Sequence, residues 1–76
     1  MNTRSRFKMR CRRGMKELDF VLDRYLERHF DAASADEIAL LDELLDLQDP
    51  NLFGILFEIE STPERFAPLA AKIRRV

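Results

Sequence analysis

The sequence predicts an all-α fold, a compact five-helix bundle in which short links make most neighbouring helices antiparallel. Three observations predict it. Apolar residues recur at the i, i+3 and i+7 spacing of a helix face along most of the chain. The only strand-like run, residues 55–59, has nothing to pair with, and the two glycines and three prolines fall where helices begin or join. The 76 residues form one predicted domain, with residues 1–3 and 75–76 expected to be disordered.

Two helices are predicted before residue 30. The first covers residues 4–12 and is almost entirely basic, with Phe7, Met9 and Cys11 as its apolar content. Gly14 then allows a bend or a close approach, because glycine has no Cβ. The second helix covers residues 15–29. Its predicted buried face comprises Met15, Leu18, Leu22, Tyr25 or Leu26, and His29, and it is widened by Phe20 and Val21.

Capping signals predict the next two helices. Ser34 and Glu37 have the spacing of a capping box, in which each side chain bonds the other's free N–H, so a third helix is predicted over residues 35–47. Asp49 and Pro50 open a fourth helix, with Asp49 as its cap and Pro50 in the first turn, where no N–H is needed. Residues 52–59 are apolar almost all round, which predicts burial on several sides.

The fifth helix is predicted to start at Thr62 and Pro63, which repeat the signal of the fourth. Pro68 should delay the regular helix or bend it, because proline cannot donate to the preceding turn. The inward stripe of this helix comprises Phe66, Leu69 and Ile73.

Length and composition exclude several classes of protein. A chain of 76 residues is too short for a dinucleotide-binding domain or a barrel enzyme. Its single cysteine excludes an internal disulfide and a multi-cysteine zinc site. No apolar run reaches the ~20 residues of a membrane span, and no signal peptide is visible. We therefore expect a cytoplasmic protein; the acid-free, Arg-rich start resembles a mitochondrial transit peptide but is short, so the mitochondrial matrix is less favoured.

Charge is segregated along the chain although the total is only −1. Residues 1–16 carry seven bases and no acid, residues 17–64 carry fourteen acids and two bases, and residues 65–76 carry four bases. This pattern indicates either electrostatic choice of a partner or packing of helices of opposite sign. Nucleic acid is not favoured, because Phe7 alone interleaves the basic segment and the acidic middle would repel phosphate.

Side chains for catalysis or metal binding are poorly represented. His29 has no serine or cysteine near it in sequence, so a capping or core role is favoured. Cys11 lies among arginines that should lower its thiol pKa, but a small apolar packing residue is favoured over a reactive thiol. No Asp-Xaa-Asp loop with a turn glycine is present, which argues against a calcium site. The sequence therefore predicts a protein that is not an enzyme and holds no metal.

The most unusual stretch runs from residue 11 to residue 19. Arg13 and Glu17 are spaced i, i+4, but this order, base before acid, is the weaker orientation for a helical ion pair. Gly14 costs a helix about 1 kcal/mol and gives room for another chain to approach. We therefore expect a recognition patch at Arg13, Gly14 and Glu17, flanked by Arg12, Met15, Lys16 and Asp19.

Residues 13–17 fit the RGxxE motif of the succinate dehydrogenase assembly factor family, the flavinylation factors, and residues 11–19 resemble the family's longer signature. Residues 49–53 resemble the family's start of the fourth helix, so the likeness covers nearly the whole chain. Many members have aromatic residues where this chain has Met9 and Ile55. The resemblance implies a five-helix domain that binds the flavoprotein subunit of succinate dehydrogenase, and often that of fumarate reductase.

The resemblance further implies that the factor promotes covalent attachment of FAD to a histidine of that client. FAD then belongs to the client, the chain binds no cofactor stably, and it is a monomer when free. Its contact residues map onto Arg13, Gly14 and Glu17. Two other classes stay open: an antitoxin-like or general protein-interaction adaptor, and a nucleic-acid binder that uses the basic helix.

Overall fold

The computed structural model describes residues 3–75, and within them it contains five α-helices and no strand. The helices are α1 (Thr3–Arg10), α2 (Lys16–His29), α3 (Ala35–Leu45), α4 (Asp49–Leu56) and α5 (Ala67–Arg74). Short 3-10 turns follow α2, at Phe30–Ala32, and precede α5, at Glu64–Phe66. The all-α, five-helix prediction is confirmed. Of the segments expected to be disordered, Thr3 lies within α1 and Arg75 is extended, whereas residues 1, 2 and 76 lie outside the described part.

The core is apolar throughout, and α5 contacts α2, α3 and α4. The Cα radius of gyration is 11.4 Å, which is about the value expected for a compact domain of this length. All five helices contribute buried side chains, and so does the link after α1. The buried residues are Phe7, Cys11, Leu18, Leu22, Tyr25, Leu26, Leu41, Leu44, Leu45, Leu52, Ile55, Leu56, Phe66, Leu69, Ala70 and Ile73.

The basic ends of the chain pack on its acidic middle. Arg10 of α1 contacts the carboxylates of Asp42 and Asp46 on α3, the latter at 2.7 Å. On the C-terminal side, Lys72 of α5 contacts Glu37 of α3 at 2.8 Å. The segregation of charge along the sequence is therefore used in part within the fold, as packing of helices of opposite sign.

Three helices end on an arginine from another element, and no glycine directly follows any of the three. The last carbonyls of a helix have no partner within it and carry partial negative charge, so a guanidinium is well suited to them. Arg13 donates to Leu45 O and Leu47 O at the end of α3, Arg74 to Ile55 O and Leu56 O at the end of α4, and Arg24 to Ile73 O and Arg74 O at the end of α5.

Two capping predictions need correction. Ser34 does cap α3 by accepting from the N–H of Glu37 at 3.1 Å, but the Glu37 carboxylate binds Tyr25 and Lys72 instead of completing the box. The residue before α4 is Gln48, so Asp49 lies in the first turn and its carboxylate binds Arg13. In both cases a long-range base or hydroxyl offers the carboxylate a better partner than a local N–H.

Two burial predictions are also wrong in part. Phe20, expected to widen the buried face of α2, has 64% of its surface exposed, although Val21 does pack on the core. Residues 57–59 are exposed because α4 ends at Leu56. Glu58 has a φ of 60°, and the N–H groups of residues 59 and 60 turn back to Gly54 O, an arrangement that stops a helix. Pro68 delays α5 as predicted, since a 3-10 turn precedes the regular helix.

Candidate protein-interaction surface

The link between α1 and α2 is a turn held by a carboxylate from α2. The first helix ends at Arg10, earlier than predicted, and residues 12–15 are not helical. Gly14 has a φ of +82°, which favours glycine, and a Cβ at this position would meet nothing within 4 Å. Asp19 accepts hydrogen bonds from the N–H groups of Arg13, at 2.7 Å, and Gly14, at 3.3 Å. Glycine is therefore required here by backbone conformation, and the space above it is open.

Arg13 points into the protein, towards the link between α3 and α4. Only 14% of its side chain is exposed. Its Nε donates to Asp49 Oδ1 at 2.7 Å, and its terminal nitrogens donate to Leu45 O at 2.9 Å and Leu47 O at 2.7 Å. A further bond reaches Arg10 O at 3.2 Å. Arg13 thus joins the link between α1 and α2 to the link between α3 and α4. The predicted i, i+4 arrangement of Arg13 and Glu17 on one helix face does not occur.

The remaining residues of the predicted patch lie on the outside. Gly14, Lys16 and Glu17 are exposed, and Arg12 is exposed beside them. Glu17 has no hydrogen-bond or ion-pair partner among residues 3–75. Met15 is half-buried and packs on the core. The motif therefore has two parts: Arg13 and Asp19 hold the turn from within, and the other members are presented to solvent.

Three adjoining hollows run along the surface past this turn, and together we call them the furrow. The middle hollow, about 530 Å³, lies between α1 and α2 and is lined by Lys8, Arg12, Lys16 and Phe20 among others. A second, about 470 Å³, shares Lys8 and Arg12 with it. A third hollow, about 450 Å³, shares Lys16 and Phe20 with the middle one and is also lined by Glu17, Val21 and Phe57.

Cys11 is not the activated thiol that its arginine neighbours suggested. It is 2% exposed within the core. Burial raises the pKa of the Cys11 thiol to about 12, with a smaller contribution in the same direction from Asp23, and these outweigh the lowering effect of Arg13 and Arg10. The packing interpretation of Cys11 is therefore confirmed, since a buried protonated thiol is a poor nucleophile.

His29 is the last residue of α2 and is half-buried, with its ring centroid 5.6 Å from that of Tyr25. Tyr25 donates to Glu37, which Lys72 also contacts. Partial burial acts to raise the pKa of Glu37, but hydrogen bonds from Lys72 and Tyr25 outweigh it and lower that pKa. No group of three His, Cys, Asp or Glu in the part of the chain that the structure describes is placed to hold a metal ion.

Sequence reasoning missed Asp49 as a partner of the motif. The only signal was that residues 49–53 belong to the same family resemblance as residues 13–17, and the structure joins the two stretches through the Arg13–Asp49 pair. It also missed that Phe20 and Phe57 would lie exposed beside Glu17. Helical periodicity alone placed Phe20 inside, and it carries no signal that distinguishes a core residue from an exposed one at the edge of the apolar face.

Among residues 3–75 no helix is long and apolar enough to cross a membrane. The chain matches the family model described as flavinator of succinate dehydrogenase over residues 5–76. It is 42% identical over 76 residues to the FAD assembly factor SdhE of Methylococcus capsulatus, covering 97% of this chain and 90% of the relative. It is 34% identical to the FAD assembly factor SdhE of Legionella pneumophila strain Lens, and the match covers 93% of this chain and 90% of the relative. It is 32% identical to the FAD assembly factor SdhE of Coxiella burnetii, and that match covers 93% of this chain and 88% of the relative. No solved structure gives a significant match.

Proposed function

Because this chain belongs to the family of flavinators of succinate dehydrogenase, we propose that it is an assembly factor that binds the flavoprotein subunit of succinate dehydrogenase and promotes covalent attachment of FAD there. The observation that carries the proposal is the family match over residues 5–76, together with relatives named FAD assembly factor at 32–42% identity. The flavoprotein subunit of fumarate reductase is a second client that we propose for the same surface.

The geometry of residues 13–17 supports a docking role for this surface. Gly14 is exposed in the link and Lys16 and Glu17 at the start of α2, and the backbone at Gly14 has open space above it, so a client chain can approach closely. Glu17 is free to accept from a client donor. Arg13 contributes from behind, because its bonds to the link between α3 and α4 fix where the turn lies.

We propose that the chain aligns the client's reactants and supplies no acid, base or nucleophile of its own. The client contributes the histidine and holds FAD. Binding that is tighter to the conformer in which histidine and flavin are aligned shifts the client towards it, and the gain in rate is a positioning effect. In this proposal the chain holds no FAD stably, acts as a monomer and works in the bacterial cytoplasm.

The proposal is tested in a deletion strain by in-gel fluorescence of the flavin bound covalently to the flavoprotein subunit. The wild-type gene should restore the fluorescence. Glu17→Gln should reduce it, whereas Glu27→Gln, an exposed acid further along α2, should leave it at the wild-type level. Equal fluorescence with and without the wild-type gene would contradict the proposed function.

The adaptor alternative is decided by a pull-down with the tagged wild-type chain. Recovery of a flavoprotein subunit supports the assembly-factor proposal. Recovery of a different protein, without the flavoprotein and with unchanged covalent flavin, would favour an antitoxin-like or general adaptor instead.

A further inference from the structure

The furrow carries charge that the fold leaves unused. Lys8, Arg12 and Lys16 line it and form no ion pair within residues 3–75. Six other bases of the described chain each contact an aspartate or glutamate: Arg4, Arg10, Arg13, Arg65, Lys72 and Arg74. The bases of the furrow are therefore available to an anionic partner.

Large apolar side chains lie along the same furrow. The structure exposes four of them, and three line these hollows: Met9 at 68%, Phe20 at 64% and Phe57 at 36%. Phe57 is held in place by stacking on Phe53, with ring centroids 4.5 Å apart. Single exposed apolar residues are ordinary, but several along one concave surface are typical of an interaction site. Met9 lines one outer hollow and Phe57 the other, whereas Phe20 lines both the second outer hollow and the middle one, where Lys8, Arg12 and Lys16 meet.

We infer that the furrow binds a segment of the client flavoprotein in which acidic residues are flanked by apolar side chains. This inference rests on the proposed function and extends it beyond the turn at residues 13–17. The acidic residues would pair with Lys8, Arg12 and Lys16, and the apolar ones would pack on Met9 at one end and on Phe20 and Phe57 at the other. Apolar anchors in hollows supply affinity, and the surrounding charges supply orientation and rate of encounter.

A nucleic acid fits the furrow less well than such a protein segment. A nucleic acid would meet the carboxylates of Asp19 and Asp23, which line the middle hollow together with the bases. A protein segment can place its few carboxylates opposite Lys8, Arg12 and Lys16 and neutral side chains opposite Asp19 and Asp23, whereas a nucleic acid carries a phosphate at every nucleotide.

Titration of the purified apo-flavoprotein subunit with the full chain, followed by calorimetry, tests the inference through two matched pairs. Arg12→Glu should weaken binding by about tenfold or more and reduce its salt dependence. Arg28→Glu, which reverses an exposed base elsewhere on α2, should change affinity less than about twofold. Phe20→Ser should likewise cost about tenfold, whereas Ile59→Ser, at a side chain that is 71% exposed outside the furrow, should not.

The outcomes separate this inference from the proposed function. If both furrow variants bind like the wild type while Glu17→Gln loses affinity and covalent flavin, the furrow assignment is wrong and the assembly function stands. If the wild-type chain neither binds the subunit nor raises its covalent flavin, the proposed function is wrong and the furrow assignment falls with it. Retention of the wild type on duplex DNA at physiological ionic strength, lost in Arg12→Glu, would also overturn the assignment.

Discussion

Replacing Arg13 with alanine should unfold a large fraction of this protein. The substitution removes the guanidinium that binds Asp49 and three backbone carbonyls, and it leaves Leu45 O and Leu47 O without their donor. Net hydrogen bonds are worth about 1 kcal/mol each, and more when the donor is charged. The Asp49 side chain is 40% exposed, so its ion pair is screened and adds little beyond this. We expect a loss of about 2–4 kcal/mol.

That loss is large beside the total stability of so small a domain, for which a core supplies only about 3–5 kcal/mol. Urea titration followed by far-ultraviolet circular dichroism measures it directly. Arg12→Ala is the matched control, because this neighbouring base is exposed and has no ion pair within residues 3–75, and its cost should stay within about 0.5 kcal/mol. Equal urea midpoints for Arg13→Ala and Arg12→Ala would refute the role that we assign to Arg13.

A double-mutant cycle then separates the pair from the carbonyl bonds. Asp49→Ala alone should cost less than Arg13→Ala, since the guanidinium keeps its bonds to Leu45 O and Leu47 O. The two substitutions together should cost less than their sum, by about 0.5 kcal/mol or more, because they remove one shared interaction. Strict additivity would mean that the Arg13–Asp49 contact contributes nothing measurable.

Three further predictions concern single positions. Gly14→Ala should destabilise by about 1–2 kcal/mol through its positive φ alone, as read from urea midpoints, because its Cβ would meet no other atom within 4 Å. Cys11 should react with thiol reagents only as the protein unfolds, and rapid labelling of the native protein would contradict this. Burial raises the pKa of Cys11 from 9.0 to about 12. The contribution of this group to stability should therefore be complete below pH 9.0 and decline as the pH rises towards 12. Lys72 and Tyr25 lower the pKa of Glu37, so the contribution of Glu37 to stability is present above its unfolded pKa of 4.5 and is lost as the pH falls. The difference in urea midpoint between the wild type and Glu37→Gln should therefore become smaller in acid. A difference that does not change with pH would contradict this prediction.

Local signals in the sequence were enough to place the helices. Ser34 caps α3 and Pro68 delays α5 because both effects depend on the backbone within a few residues of each. The ends of helices were predicted less well. α1 stops at Arg10 because Asp19 draws the following N–H groups into a turn, and no sequence rule for helix ends anticipates a carboxylate that reaches back from the next helix.

The candidate site could be located from the sequence, but the direction of its side chains could not. The motif residues are local, and so their presence on one turn was predictable. The partners of Arg13 lie 32 to 36 residues further along the chain, and only the packed fold brings them together. The same holds for Glu37, whose carboxylate binds Lys72 at a separation of 35 residues. Arg13 was therefore expected to face a client and Glu37 to complete a local cap, whereas both bind side chains of other helices.

The long separation between Arg13 and its partners affects when the surface can form during synthesis. A nascent or truncated chain that ends before α4 contains all of residues 13–17 but lacks Asp49, and it also lacks the end of α3 if it stops earlier. A chain that stops before the end of α3 has none of the long-range partners of Arg13, and only Asp19 then holds the turn. The position of the turn is fixed from behind only when the end of α3 and the start of α4 have docked, so a client that recognises its shape would engage such copies and pass over shorter ones.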